Sequence, residues 1–118
     1  MILELNGIDV DCIIGERQDE RTRAQRLMVD VALQVGDAAA ASDELSDTVD
    51  YAALTDRIRK ALVAAKCQMI ERAAMVVCDV CREDPKVSAV RVKVTKTGAV
   101  AHLASASAVL AFGAAFEA

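Results

Sequence analysis

One stretch of the sequence alternates so regularly that it restricts the fold around it. Residues 87–100 read VSAVRVKVTKTGAV, and Val90, Val92 and Val94 alternate there with charged or polar residues. A period of two is typical of a β-strand with one buried face and one solvent-exposed face. Lys96 has the same parity as the valines, so a regular strand places its ammonium group on the apolar side. A charge in that position requires an ion partner, a route to water or a pocket, because an unpaired buried charge is costly.

Length and composition indicate an ordinary globular domain. The chain has 118 residues, of which 54% are hydrophobic and 27% are charged, so we expect one domain over residues 1–118. The formal net charge is −4 and aromatic residues make up only 3%, which argues against a nucleic-acid-binding surface. No stretch has the pattern of a signal peptide or of a membrane span. We therefore expect a cytoplasmic protein without a membrane partner.

Three further segments carry strand-like patterns. Residues 2–14 and residues 25–35 alternate apolar with polar side chains, and the short charged segment between them predicts an antiparallel hairpin. Gly7 indicates a bulge or twist near the start of the first strand. We expect Gly98 to end the third strand, described above. Residues 101–112 then suit a fourth strand in a hairpin with the third, although their alanine content also tolerates a helix.

The middle of the chain has helical periodicity. Apolar positions recur at helical spacing over residues 51–65 and again over residues 69–83, with Asp50 as N-cap of the first helix and Pro85 beyond the second. Residues 36–50 are small and polar and predict a turn with a short helical piece. The resulting order, ββααββ, describes an α+β fold with a four-stranded antiparallel sheet and both helices on one face. Pairing across subunits would remove the open edges of such a sheet.

Two of the four cysteines have the spacing found in metal-binding and redox motifs. Cys78 and Cys81 form a CxxC pair, yet no second pair and no nearby histidine completes a tetrahedral site. In the predicted second helix both lie beside Ala74 and Val77. We therefore interpret them as core residues and expect no metal ion.

Short motifs follow one another in a characteristic order along almost the whole chain. They are IG-x4-ER-x3-Q at residues 14–25, SD-x3-DTVDY at residues 42–51, Ile70-Glu71, and K-x-GAV at residues 96–100. Each motif is weak alone, whereas their order and spacing together are specific. In these motifs the chain resembles the dihydroneopterin aldolase family.

The resemblance implies a fold, an assembly and an activity. The family adopts the ββααββ tunnelling fold, in which four-stranded sheets join in rings of four to close a β-barrel, and two rings usually stack into an octamer. Its members cleave the side chain of 7,8-dihydroneopterin by a retro-aldol reaction on the route to folate. The products are 6-hydroxymethyl-7,8-dihydropterin and glycolaldehyde. The resemblance implies no cofactor, neither a metal nor a Schiff base, because the pterin ring itself is the electron sink.

The resemblance also implies which residues bind the substrate. Glu71 is the anchor of the pterin, assisted by the backbone amide of Ile70, and Val49 and Asp50 belong to the same binding set. A carboxylate suits the anchor role because it accepts two parallel hydrogen bonds from the pterin N–H and exocyclic amine. On the residues alone, the helix dipole is the simpler explanation of a glutamate in a first helical turn.

Lys96, Tyr51 and Glu20 are the implied catalytic residues. A lysine transfers protons near neutral pH when burial or neighbouring groups lower its pKa, and the alternative is a lysine that extends from the strand end to water. Tyr51 is implied to reach the substrate from a neighbouring subunit. It also lies in line with Leu54 and Ile58, however, so packing on the core remains an open alternative.

Glu20 is the hardest of these residues to select from the sequence. It lies in GERQDERTRA, residues 15–24, which composition alone describes as a solvated loop. Only its position relative to Gly15 and Gln25 distinguishes it from the other acidic residues. His102, the single histidine, matches no role in the family, and we expect it to be structural or exposed.

Three functional hypotheses are open on the sequence. The first is a lyase that acts on dihydroneopterin. The second is an epimerase of the same family acting on dihydroneopterin or its triphosphate, with Arg17, Arg21 and Arg23 as candidate phosphate contacts. The third is a non-catalytic oligomeric pterin-binding protein. Thr97 stands where many members of the family have proline, which leaves the choice between lyase and epimerase open.

Overall fold

Two β-hairpins form a single four-stranded sheet in the computed structural model, which describes residues 1–116. The strands are β1 (Ile2–Cys12), β2 (Gln25–Gln34), β3 (Ala89–Val100) and β4 (Leu103–Phe112). They lie in the order β1-β2-β3-β4 and every neighbouring pair is antiparallel. Residues 117 and 118, the last two of the expected domain, lie outside the described residues.

The helices occupy the positions that the apolar periodicity predicts. They are α1 (Ala38–Ser42), α2 (Tyr51–Ala65) and α3 (Ile70–Arg82), and α1 is the short helical piece expected between β2 and α2. Asp50 caps α2, because its carboxylate accepts a hydrogen bond from the Ala53 amide at 3.1 Å. Lys66 ends that helix in the left-handed conformation, with φ of 46°. No helix among residues 1–116 has the length and apolar character needed to cross a bilayer.

The core lies between one face of the sheet and the inner faces of α2 and α3. Across the central pair of strands, Val29 lies opposite Val94 and Val31 opposite Val92, and all four side chains are buried. Arg91 and the other residues of alternate parity face away from the helices. The predicted α+β fold, with two main helices on one face of an antiparallel sheet, is therefore confirmed. The helices contribute these buried side chains: Leu54, Ile58, Leu62, Ala73, Ala74, Val77, Cys78, Val80 and Cys81.

The prediction that Gly98 ends the third strand is wrong. β3 continues to Val100, and the hairpin turn follows at residues 101–102, where His102 is exposed with φ of 69°. The left-handed Gly98 lies instead within an irregularity of the β3–β4 register between Thr97 and Val100, where it acts as a bulge residue and not as a turn residue. Gly7 plays the predicted role, since the β1–β2 register shifts between Leu5 and Ile8.

Candidate active site

Lys96 occupies the buried face of the sheet, as the strand parity predicts. It lies opposite Leu27 in the β2–β3 register, and only 8% of its surface is exposed. Its Nζ donates a hydrogen bond to Glu20 Oε2 at 2.5 Å. Of the three ways to accommodate a charge on the apolar side, the chain therefore uses an ion partner.

Glu20 is brought to Lys96 by a 3₁₀ helix, Gln18–Thr22, within the charged segment after β1. Only 4% of its surface is exposed, so the description of this residue as part of a solvated loop is wrong. Besides Lys96, its carboxylate accepts hydrogen bonds from Gln25 Nε2 at 3.2 Å and from the Arg17 amide at 3.4 Å. The bond from Lys96, supported by these two, holds the pKa of Glu20 well below its usual value, although burial acts in the opposite direction.

Gly15 makes room for that carboxylate. A Cβ atom at this position would lie 2.2 Å from Glu20 Cδ, far inside van der Waals contact. The backbone of Gly15 also has φ of 124°, a conformation that residues with a side chain rarely adopt. Any other residue would therefore displace Glu20, and through it the ion pair with Lys96.

Two more side chains of the same motif fix this loop. Gln25 Nε2 donates hydrogen bonds to the Ile14 carbonyl, at 2.6 Å, and to Glu20, so it joins the segment just after β1 to the carboxylate. Arg21 reaches three backbone carbonyls, which belong to Gly15, Lys66 and Cys67. Both residues belong to the IG-x4-ER-x3-Q motif, in which Gln25 had no predicted role and Arg21 was a candidate phosphate contact only. Their only signal was that their spacing from Glu20 matched the family pattern.

The start of α3 lies at the same end of the molecule. The linker between α2 and α3 docks on the Glu20 loop, since the Gly15 amide donates to the Cys67 carbonyl at 3.2 Å. Ile70 opens α3 and is half-buried, while Glu71 in the first turn is exposed. No donor among residues 1–116 contacts the Glu71 carboxylate. The Glu71 carboxylate is therefore accessible to a ligand, at the end of the molecule where the Glu20 loop docks on the link between α2 and α3.

Val49, Asp50 and Tyr51 lie at the opposite end of α2. The helix has 15 residues and spans roughly 22 Å at 1.5 Å per residue. Tyr51 is 54% exposed, so the alternative that its ring packs on the core is wrong, whereas Val49 is buried. With Leu45 and other neighbours they line a cleft of about 380 Å³. Within one chain, the structure therefore does not bring Tyr51, Val49 and Asp50 together with Glu20, Lys96 and Glu71.

The CxxC pair belongs to the core. Cys78 and Cys81 are fully buried on the inner face of α3, and both are free thiols. Burial raises the pKa of Cys81 to about 12, so its thiol is protonated and unreactive at neutral pH. The interpretation of these two cysteines as packing residues is confirmed.

The arrangement has two chemical capabilities. The buried Glu20–Lys96 pair places a carboxylate and an amine in contact, and such a pair can exchange a proton with a polar group of a bound molecule. The outward-facing Glu71 offers two acceptor oxygens at the start of a helix, which suit a planar ligand with adjacent N–H donors.

Comparison with known proteins points to one family. The family model described as dihydroneopterin aldolase matches residues 3–111. Dihydroneopterin aldolase of Streptococcus pyogenes serotype M3 is 36% identical over 84 residues, which cover 70% of this chain and 71% of that protein. The Escherichia coli K12 enzyme is 27% identical over 113 residues, which cover 95% of this chain and 93% of that protein.

The fold agrees with a solved member of this family. The structure of Escherichia coli dihydroneopterin aldolase in complex with neopterin superposes with a TM-score of 0.89 at 27% identity, covering 96% of this chain and 99% of that one. The match of sequence model, relatives and fold therefore extends over nearly the whole chain, and this protein belongs to the dihydroneopterin aldolase family.

Proposed function

We propose that this protein is an aldehyde-lyase that cleaves 7,8-dihydroneopterin into 6-hydroxymethyl-7,8-dihydropterin and glycolaldehyde. The observation that carries the proposal is the buried Glu20–Lys96 pair, which lies at the end of the sheet where α3 begins with Ile70 and Glu71. A proton-transfer pair next to an acceptor for planar N–H donors is what cleavage of a pterin side chain requires.

Glu71 anchors the pterin ring in this proposal. Its carboxylate accepts the ring N–H and the exocyclic amine, and the backbone amide of Ile70 donates to the ring edge. The exposure of Glu71 supports this role, because the carboxylate is accessible to a ligand. Charge-assisted bonds of this bidentate kind are about twice as strong as neutral ones and also fix the plane of the ligand.

Lys96 and Glu20 serve the proton transfers of the retro-aldol step. The side-chain hydroxyl at C2′ loses its proton, and C2′ becomes the aldehyde carbon as the C1′–C2′ bond breaks. The electron pair of that bond forms a C1′=C6 double bond, and the π pair of C6=N5 moves to N5, from which it returns when C1′ is protonated. C1′ then takes up a proton, so one proton leaves an oxygen and one arrives at a carbon. Lys96 exchanges these protons, and Glu20 holds its ammonium in place through the 2.5 Å bond.

Tyr51, Val49 and Asp50 complete the site from a neighbouring subunit. Their distance from Glu20 along α2 supports this assignment, because one chain cannot supply both groups to one substrate. The sheet also has two open edges, β1 and β4, and Val109 on β4 is an exposed apolar residue. Four chains that pair these edges close a barrel, and we expect two such rings to stack into an octamer. The free thiols suit a reducing cytoplasm.

The test of the proposed function is product analysis. Incubation of the protein with 7,8-dihydroneopterin is expected to release glycolaldehyde and 6-hydroxymethyl-7,8-dihydropterin in equal amounts. Formation of a 2′-epimer without glycolaldehyde would identify an epimerase, and recovery of unchanged substrate would identify a binding protein. Light scattering on the same sample tests the assembly, for which we expect four or eight times the chain mass of 12.5 kDa.

The loop arginines do not favour a triphosphate substrate. Arg21 is bonded to three carbonyls, Arg17 lies 3.5 Å from Asp19, and Arg23 lies 3.8 Å from the same carboxylate. A guanidinium that already has acceptors gains less from a phosphate than a free one. The uncharged trihydroxypropyl side chain of dihydroneopterin therefore suits this loop better than its triphosphate.

A further inference from the structure

Arg21 forms an unusual junction between two distant parts of the chain. Its Nη1 donates to the Gly15 carbonyl at 3.0 Å and to the Cys67 carbonyl at 3.2 Å, and its Nη2 donates to the Lys66 carbonyl at 2.7 Å. The side chain is half-buried. Gly15 belongs to the loop after β1, whereas Lys66 and Cys67 form the link between α2 and α3. One planar guanidinium therefore connects segments about fifty positions apart in the sequence.

Each of these segments carries one half of the candidate site. On one side, Arg21 directly follows Glu20, whose carboxylate holds Lys96. On the other side, Cys67 lies four residues before Glu71, at the start of α3. The position of the proton-transfer pair relative to the pterin anchor therefore depends on how these two segments dock on each other.

We propose that Arg21 is a positioning residue that sets the distance between the Glu20–Lys96 pair and the start of α3. The inference rests on the proposed function, because it concerns the alignment of a bound pterin with the groups that act on its side chain. Within residues 1–116, all hydrogen bonds of the Arg21 side chain go to backbone carbonyls, and it takes no part in the chemistry.

The geometry of the guanidinium explains why an arginine is used. Lys66 is left-handed, so α2 ends abruptly, and the Lys66 and Cys67 carbonyls just beyond the helix accept hydrogen bonds from Arg21. The direct bond from the Gly15 amide occupies the Cys67 carbonyl only, and the Lys66 carbonyl is left to Arg21. A planar fork reaches both carbonyls at once, whereas a lysine ammonium is a single point of donation on a flexible stem.

The decisive variant is Arg21→Lys, which keeps the charge and removes the fork. The matched control is Arg23→Lys in the same loop, because Arg23 forms only a surface ion pair with Asp19. For each protein, turnover of 7,8-dihydroneopterin is measured per pterin-binding site, and the sites are counted by titration with neopterin.

We expect a split between turnover and binding. Glu71 still holds the ring in Arg21→Lys, so the dissociation constant for neopterin stays close to that of the wild type, while kcat falls roughly 10- to 100-fold through misalignment. Arg23→Lys is expected to keep both values. A purely structural role for Arg21 predicts a lower melting temperature with unchanged kcat per site, and that result would overturn the proposal.

Two further measurements keep the inference separate from the proposed function. If the wild type binds pterin without cleaving it, the proposed function fails, and the positioning role is then tested by NMR titration of the Glu20 carboxyl. Its pKa is expected to rise in Arg21→Lys, and an unchanged titration contradicts the proposal.

If the variant does not fold, a crystal structure of the wild type with neopterin decides: the bonds from Arg21 to Lys66 and Cys67 must persist beside the bound ring, and their absence overturns the inference.

Discussion

The two ends of helix α2 are built in opposite ways. At its C-terminal end, Glu20 and Lys96 are buried and bonded to each other, and Arg21 ties their loop to the helix. At its N-terminal end, Tyr51 is more than half exposed beside an open cleft. At the first end the buried Glu20 and Lys96 satisfy each other within one chain, whereas the Tyr51 hydroxyl at the second end makes no hydrogen bond within residues 1–116.

The difference shows how a small domain can divide a catalytic site. A buried ion pair needs a rigid surrounding, because each charge has lost its water and depends on the other. Such a surrounding is easiest to build inside the chain, where the sheet and loop are covalently connected. An exposed tyrosine does not need rigid surroundings within its own chain, so it can act at the site of another chain. We therefore expect substitutions of Glu20 or Lys96, at the C-terminal end of α2, to lower both stability and activity. Substitutions of Tyr51, at the N-terminal end, should lower activity alone.

The largest effect is expected for Lys96→Ala. Loss of the proton-transfer group lowers kcat for dihydroneopterin by roughly 10²- to 10⁴-fold. It also leaves the Glu20 carboxylate buried without its partner, which destabilises the fold by about 3–5 kcal/mol. Lys93→Ala is the matched control, because Lys93 lies on the exposed face of the same strand. Steady-state kinetics and urea unfolding measure the two effects.

The outcome that contradicts this reading is an active Lys96→Ala protein. A paired variant, Glu20→Gln with Lys96→Met, separates the two effects, because it removes both charges while retaining similar volumes. It is expected to recover much of the stability and none of the activity. Recovery of activity would show that the ion pair is only structural.

Tyr51→Phe is expected to lower turnover by roughly 10- to 100-fold. It should leave the unfolding free energy unchanged, because Tyr51 is an exposed residue. The divided site makes a sharper test available. When Tyr51→Phe and Lys96→Ala chains are unfolded together and reassembled in equal amounts, about one quarter of the sites receive both intact residues from different chains. Activity should therefore reappear on mixing, and a mixture as inactive as its components would place both residues in one chain's site.

The sequence predicted the elements better than it predicted their surroundings. Alternation in residues 25–35 and helical periodicity in residues 51–65 located β2 and α2 almost to the residue, because both patterns are local. The burial of Glu20 was not visible in its loop, since it depends on Lys96, 76 positions away. Gly98 misled the prediction, because a left-handed glycine serves a bulge as well as a turn.

A substitution at Gly15 tests the packing around the Glu20 carboxylate without removing a charge. In Gly15→Ala the new Cβ collides with Glu20, and the backbone conformation is strained as well, so we expect a destabilisation of about 1–3 kcal/mol. Activity should fall about tenfold, since Glu20 moves away from Lys96. Gly36→Ala is the control, because a Cβ there meets nothing within 4 Å. Equal stability of the two variants, measured by urea unfolding, would mean that Gly15 is not needed to seat Glu20.

The smallest expected effect is on the stability of the protein at acidic pH. Glu20 has a lowered pKa in the folded protein, mainly because Lys96 donates to its carboxylate. The stability that this group contributes is therefore fully present above the ordinary carboxyl pKa of 4.5 and is lost as the pH falls through the folded value below it. Glu20→Gln cannot take up a proton, so its unfolding free energy should fall less steeply below pH 4.5 than that of the wild type. Asp19→Asn, which removes an exposed carboxylate of the same loop, serves as the control for the loss of a loop charge. Parallel curves for Glu20→Gln and the wild type would mean that the pKa of Glu20 is the same in the folded and the unfolded chain. The ion pair at the C-terminal end of α2 would then contribute no electrostatic stability, and the two ends of the helix would not differ in this respect.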